Sequence, residues 1–122
     1  GFTTGTPWIA VNKNHKVINA EREAADPGSI HAFYKQLVRL RKELPIIAEG
    51  DVTFLEPEND DILAYERTLG DKNLRVLCNL RGTETKVPLD DYLSSTPHTL
   101  LGNYPEEMRD MLRPYEVIVL TN

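Results

Sequence analysis

The sequence has little cysteine: Cys78 stands alone in 122 residues, which excludes an internal disulfide framework and any cysteine-rich zinc site. Long apolar runs are missing too. The longest, Val117 to Leu120, is far short of a bilayer span, and no charged segment followed by an apolar one opens the chain. Basic charge is in deficit, with 14 Lys and Arg against 19 Asp and Glu and a net charge of -5, which disfavours nucleic acid and anionic membrane surfaces as partners. There is no glycine cluster ahead of a helix to cradle phosphate and no G-x-S-x-G elbow for a serine nucleophile. His15, His31 and His98 are far apart and lack the spacing that places two metal ligands on one helix face, so no metal site or cofactor is expected.

What is present suits an ordinary globular domain, or a small domain with an attached segment: 40% hydrophobic and 27% charged residues, without repeats or low-complexity blocks. The first residue, Gly1, is not methionine, and the chain is expected to continue a longer polypeptide or to follow a processed tag, the first being the reading taken. Gly1 to Ala25 mixes Gly, Thr, Pro and Asn with apolar residues at no steady period, which predicts an irregular loop. A loop of that length is either functional or rests on a surface supplied elsewhere. Asp26-Pro27 predicts a helix start, with Asp capping and Pro at the first helical position. Ile30, Phe33, Tyr34, Leu37, Val38 and Leu44 then recur at three and four residue spacing, opposite Lys35, Gln36, Arg39 and Lys42, and Pro45 ends the helix.

From Ile46 the period switches to two. Asp51 to Glu56, Ile62 to Thr68, Leu74 to Leu80 and Thr83 to Leu89 read as strands, with Leu74, Val76, Cys78 and Leu80 on one face and Arg75 and Asn79 on the other. Tyr115 to Thr121, after Pro114, reads as a central closing strand, and His98 to Leu101 as a weaker one. The predicted fold is mainly β, an antiparallel β-sandwich preceded by an irregular loop and one amphipathic helix, with a boundary between residues 1–45 and 46–122.

Candidate chemistry is sparse. Glu56, Glu58, Asp60 and Asp61, and likewise Asp90 and Asp91, fall in turns where carboxylates serve geometry and solubility, and Glu106, Glu107 and Asp110 suit the first turns of a short helix after Pro105. Cys78 lies among the inward residues of the strongest strand, a place for a small apolar thiol and not for a nucleophile. Trp8, with Phe2, reads first as an anchor of the loop on a core, and otherwise as a platform for stacking a pyranose.

The run Gly1-Phe2-Thr3-Thr4-Gly5-Thr6-Pro7-Trp8-Ile9-Ala10-Val11-Asn12, followed by Asn14 and Ile18-Asn19, resembles the stretch after the last barrel strand of oligo-1,6-glucosidases and related family 13 glycoside hydrolases. Asp26-Pro27 with Ser29-Ile30, Tyr34-Lys35 and Leu40-Arg41-Lys42 resembles that family's final barrel helix, and Leu112-Arg113-Pro114-Tyr115-Glu116 its last C-domain strand. The resemblance covers essentially the whole chain. It implies a parent α-glucosidase whose Asp nucleophile, Glu acid/base and second Asp all precede Gly1, so that no catalytic residue falls in this chain. The family's G-x-R-x-D motif is absent, and Asn14-His15-Lys16 has Lys where the Asn-His-Asp motif has its carboxylate.

The resemblance further implies that Phe2, Thr3 and Trp8 belong to the rim of the parent's substrate pocket, that an oligosaccharide is the parent's substrate, and that the catalytic barrel is the partner of residues 1–45. Without that barrel, the stripe of Phe33, Tyr34, Leu37 and Val38 is expected either to pack on the β-domain or to drive self-association. The single cysteine suits a reducing cytoplasm. A carbohydrate-binding β-sandwich module is the rival reading, and relatives acting on dextran ends, sucrose or trehalose 6-phosphate share the same C-terminal pattern.

Overall fold

The computed structural model describes residues 3–87, 92, 98–105 and 111–122, and the chain falls into two compact units, Gly1–Glu43 and Leu44–Asn122. The expectations for Phe2, Leu89, Asp90, Asp91, Glu106, Glu107 and Asp110 lie outside the described residues.

In the first unit the expected irregular loop is more ordered than its composition suggests. Asn12 accepts from the Asn14 amide and opens a 3-10 turn, Lys13–Lys16, and Asn19 accepts from the Arg22 amide to start helix α1, Ala20–Ala25. Two asparagine caps make these turns, and a search for apolar period passes over them. The helix start expected at Asp26-Pro27 is displaced. Asp26 Oδ1 accepts from the Gly28 amide at 2.9 Å and holds a turn, and helix α2 runs Ile30–Glu43 with Ser29 as its cap. Ser29 Oγ accepts from the Ala32 amide at 3.1 Å and donates to the Glu23 carbonyl at 2.6 Å, so one hydroxyl starts α2 and ties it to the end of α1. Helix α2 ends at Glu43, as Pro45 demands. Its only buried residue is Leu40, while Ile30, Tyr34, Leu37 and Val38 are exposed and Phe33 is half-buried.

The second unit opens on a helix where only β structure was expected from Ile46 onward: α3, Pro45–Glu49. Proline is as welcome at the first position of a helix as it is unwelcome inside one, so Pro45 ends α2 and begins α3. Gly50 follows, and a Cβ there would sit 2.7 Å from the Ile46 carbonyl oxygen, so no other residue fits without a shift of backbone. Strands β1 (Asp51–Phe54), β2 (Ile62–Leu69), β3 (Lys72–Asn79), β5 (His98–Gly102) and β7 (Val117–Thr121) form a five-stranded antiparallel sheet in the order β1-β2-β3-β7-β5, and β4 (Thr85–Lys86) pairs with β6 (Met111–Leu112) in a second layer. The antiparallel two-layer β-domain expected from the sequence is therefore present, with β7 central between β3 and β5. The β2–β3 hairpin closes through Gly70 and Asp71, Gly70 taking the positive φ of 64° that a two-residue loop requires.

The register decides which residues share a face. Ile62 pairs with Asn79, Ala64 with Leu77 and Leu77 with Ile118, and these residues join Leu120, Val87 and Leu112 between the layers. This corrects the reading of β3 as a half-buried strand with Arg75 and Asn79 outward. The face of Arg75 and Asn79 is the inner one, Leu77 on it is completely buried, and Leu80 lies beyond the strand and is exposed. Alternation locates two faces without telling which is inside, and here both carry apolar residues. On the outer face Ile46 of α3 packs on Leu74 and Val76. Arg67 clamps that helix by donating from Nε to the Ile46 carbonyl at 2.9 Å and from Nη2 to the Gly50 carbonyl at 2.7 Å. The closing strand begins at Val117 and not next to Pro114, because Tyr115 adopts a left-handed φ of 55° and turns the chain before pairing starts.

Candidate functional site

The candidate rim residues Thr3 and Trp8 line one concavity of the first unit, of about 790 Å³, with Ile9, Val11, His15 and Asn19 among its other walls. Its shape is set by local hydrogen bonds. Thr3 Oγ1 accepts from the Gly5 amide at 3.0 Å, the His15 ring nitrogen Nδ1 donates to the Asn12 carbonyl at 2.8 Å, and Asn19 Nδ2 donates to the His15 carbonyl at 3.0 Å. With Nδ1 as donor, a neutral His15 ring presents Nε2 as an acceptor. His15 and Asn19 were not singled out as rim residues in the sequence, and the run of turn-favouring asparagines at 12, 14 and 19 was the available signal. Trp8 is 94% exposed, and Ile9, Val11, Val17 and Ile18 are exposed as well. The reading of Trp8 as an anchor on a core is therefore not met by any of the described residues: the ring lines the concavity and is otherwise open to solvent.

The carboxylates serve structure. Asp61 pairs with Arg81 at 2.6 Å, Glu66 with Arg75 at 2.6 Å, and Glu56 accepts from the Tyr92 hydroxyl at 2.8 Å. Glu116 is almost fully buried and accepts from Arg113 Nη2 at 2.8 Å and from the Arg113 amide at 2.7 Å. Burial pushes its carboxyl up, but the hydrogen bonds and the charge of Arg113 outweigh that and hold it below the ordinary carboxylate range. Burial alone pushes the Cys78 thiol up, away from the thiolate that a nucleophile needs. His31 and His98 are exposed and distant in sequence, and among the described residues no group of three or more His, Cys, Asp or Glu could hold a metal ion.

Asn79 is a residue whose role the sequence did not reveal. Buried at the end of β3, its Nδ2 donates to the carbonyls of Thr83, Arg113 and Leu112 at 2.7, 2.8 and 3.2 Å, while Oδ1 accepts from the Arg81 amide at 2.8 Å and Thr85 Oγ1 at 3.1 Å. One amide thus joins β3 to the strands of the second layer. In a period-two pattern it reads as a solvent-facing residue.

Residues 1–50 match the family described as alpha amylase, catalytic domain, and residues 52–118, more than half of the chain, match maltogenic amylase, C-terminal domain. The chain belongs to the α-amylase family. This α-amylase-family chain is similar to the oligo-1,6-glucosidase of Halalkalibacterium halodurans, at 41% identity over 126 residues, and to the trehalose-6-phosphate hydrolase of Bacillus subtilis, at 39% over 125 residues. Each alignment takes in 98% of this chain and 22% of the relative. Among solved structures it resembles the trehalulose synthase of Pseudomonas mesoacidophila, with a TM-score of 0.86 and 31% identity over 99% of this chain and 23% of that one. The chain therefore spans about a fifth of the length of the curated relatives it matches. No helix among the described residues is long and apolar enough to cross a membrane.

Proposed function

We propose that this chain is the carboxyl-terminal portion of a retaining α-glucosidase acting on isomalto-oligosaccharides, and that it is structural and not itself catalytic. The observation that carries the reading is the 41% identity to an oligo-1,6-glucosidase across 98% of the chain, with the catalytic-domain match ending where the C-terminal-domain match begins. In this reading residues 1–45 complete the catalytic barrel, residues 46–122 are its C-terminal domain, and Phe2, Thr3 and Trp8 sit at the rim of a pocket whose floor lies upstream. The parent works in cytoplasmic carbohydrate metabolism, without a cofactor. Retention of configuration needs two carboxyl groups about 5 Å apart on a rigid scaffold, and the carboxylates traced above are committed to structural partners. The similarity to a trehalose-6-phosphate hydrolase, at 39% identity, leaves the choice of α-glucoside to residues upstream.

The test is enzymatic. The parent protein should release glucose from isomaltose or an aryl α-glucoside, and this chain alone should release none; turnover by the pure chain overturns the reading. The stripe of exposed Tyr34, Leu37 and Val38 with half-buried Phe33 should also make the isolated chain self-associate, and a strictly monomeric species in light scattering counts against that part of the proposal.

A further inference from the structure

Tyr115 is held more firmly than its burial explains. Its φ of 55° lies in the left-handed region, which a bulky residue enters at a cost and keeps only where its surroundings hold it there. Those surroundings are specific. The Tyr115 amide donates to the Arg81 carbonyl at 3.0 Å, and its carbonyl accepts from Asn103 Nδ2 at 2.9 Å, while Asn103 Oδ1 accepts from the Val117 amide at 2.8 Å. The ring lies over Gly82, where a Cβ would come within 3.2 Å of the Tyr115 hydroxyl oxygen. Tyr115 nevertheless stays 64% exposed, so the arrangement gains little from burial and fixes an aromatic face at the surface. Polar groups stand beside it. Arg81, next to Gly82, pairs with Asp61 at 2.6 Å, and both side chains are 52% exposed. Arg81 uses Nε for Asp61 and Nη2 for the Asp60 carbonyl, so Arg81 Nη1 and Asp61 Oδ2 make no hydrogen bond to a described residue. On the other side Tyr104 donates to the Pro114 carbonyl at 2.9 Å and carries the Arg113 guanidinium 4.2 Å from its ring centroid, bracing the turn.

We propose that this corner of the β-domain is a surface site for an α-glucan, in which one pyranose stacks its C–H face on Tyr115 and its hydroxyls bond to Arg81 and Asp61. The proposal rests on the reading of the chain as the end of an α-glucosidase, and adds a place where the C-terminal domain itself holds a glucosyl unit. The chemistry selects a sugar. A pyranose presents an apolar face that matches an aromatic ring and a rim of hydroxyls that both donate and accept, and the corner offers the ring with one donor and one acceptor next to it. A ring already fixed by its backbone loses little rotamer freedom when a ligand arrives. The corner also lies far along the sheet from the joint between the two family matches. The catalytic-domain match ends at residue 50, and Asp51 pairs with Thr68, which faces Asn73 of β3. Tyr115 precedes Glu116, whose carbonyl accepts from the Asn79 amide, so six residues of strand, about 20 Å, separate the two places.

The experiment introduces Tyr115→Gly and, separately, Tyr115→Phe into the full-length parent and measures mobility in native gels that contain dextran. Glycine adopts the φ of this position freely, so Tyr115→Gly removes the ring without straining the turn, and Tyr115→Phe keeps the ring. Dextran should retard the wild type and Tyr115→Phe alike, while Tyr115→Gly should need about fivefold more dextran for the same retardation. The kcat/KM for an aryl α-glucoside should stay within about twofold in both variants, and the unfolding midpoint of Tyr115→Gly should not fall. A wild type that dextran does not retard, or a Tyr115→Gly parent retarded as strongly as the wild type, overturns the proposal. So does a Tyr115→Gly parent that loses stability or aryl-glucoside turnover in step with its retardation, which would give the ring a structural role only. A concentration-dependent dimer of the parent that Tyr115→Gly dissolves would assign the ring to a second copy and count against the site equally. A wild-type parent without α-glucosidase activity would sink the functional reading, and dextran retardation that Tyr115→Gly abolishes would still support the site.

Discussion

The two units of this chain solve the burial problem in opposite ways. Residues 44–122 enclose their own core: Ile62, Ala64, Leu77, Ile118 and Leu120 face Val87 and Leu112 across two layers, and the polar groups inside are paired. In residues 1–43 the apolar side chains mostly face outward, Trp8, Ile9, Ile30 and Tyr34 among them, and order comes from asparagine, aspartate and serine hydrogen bonds to nearby backbone. Local hydrogen bonds fix the path of a chain, yet each contributes only about 1 kcal/mol net, far less than the conformational entropy of ordering a segment of that size. A segment built this way is shaped in detail and dependent on a surface it does not contain.

The largest expected effect comes from cutting between the units. Residues 44–122 alone should unfold cooperatively on heating, while residues 1–43 alone should show little helix by circular dichroism, since a helix the length of α2 is marginal in water. A cooperative transition from residues 1–43 would break the comparison. Next in size is Asn79→Ala, which strands the carbonyls of Thr83, Leu112 and Arg113 and the Arg81 amide; a loss of about 3 kcal/mol in urea titration is expected.

Smaller again is Glu116→Gln, with a loss of about 1 kcal/mol at neutral pH. Because the folded state holds the Glu116 carboxyl below its ordinary value of 4.5, this stability is complete above that value and lost as pH falls through the lower folded value, the unfolded chain taking its proton first. The acid limb of a stability–pH curve should accordingly flatten in the variant. Smallest is Trp8→Ala in the isolated chain: with the ring 94% exposed, the midpoint should move by less than about 0.5 kcal/mol equivalent. A substantial loss would mean that the first unit has a core after all.

The parts of the fold legible in the sequence were those with simple periods: the α2 stripe ending before Pro45, the alternation of β2 and β3, and the closing strand that sits centrally in the sheet. Where one residue served two purposes the pattern misled. Pro45 both ends α2 and starts α3, so the β region was expected from Ile46 although Ile46 and Ile47 belong to a helix that covers the sheet. Asp26 looks like a cap but is engaged two residues on, leaving Ser29 to start the helix. Asn79 reads as outward because polar residues in strands usually are, and nothing local reports the three carbonyls that converge on it from elsewhere in the chain. The rim residues Thr3 and Trp8 do come together in one concavity, whereas its wall at His15 and Asn19 depends on turns invisible to period.

The amide at Asn79 carries no charge at any pH, so the joint it makes between the layers is indifferent to acid, while the neighbouring turn from Arg113 to Glu116 hangs on an ionised pair. Acidification should therefore loosen the β-domain in a set order. The hinge ahead of the last strand lets go first, with its left-handed Tyr115, and the junction of β3 with the second layer stays fastened until the molecule unfolds as a whole.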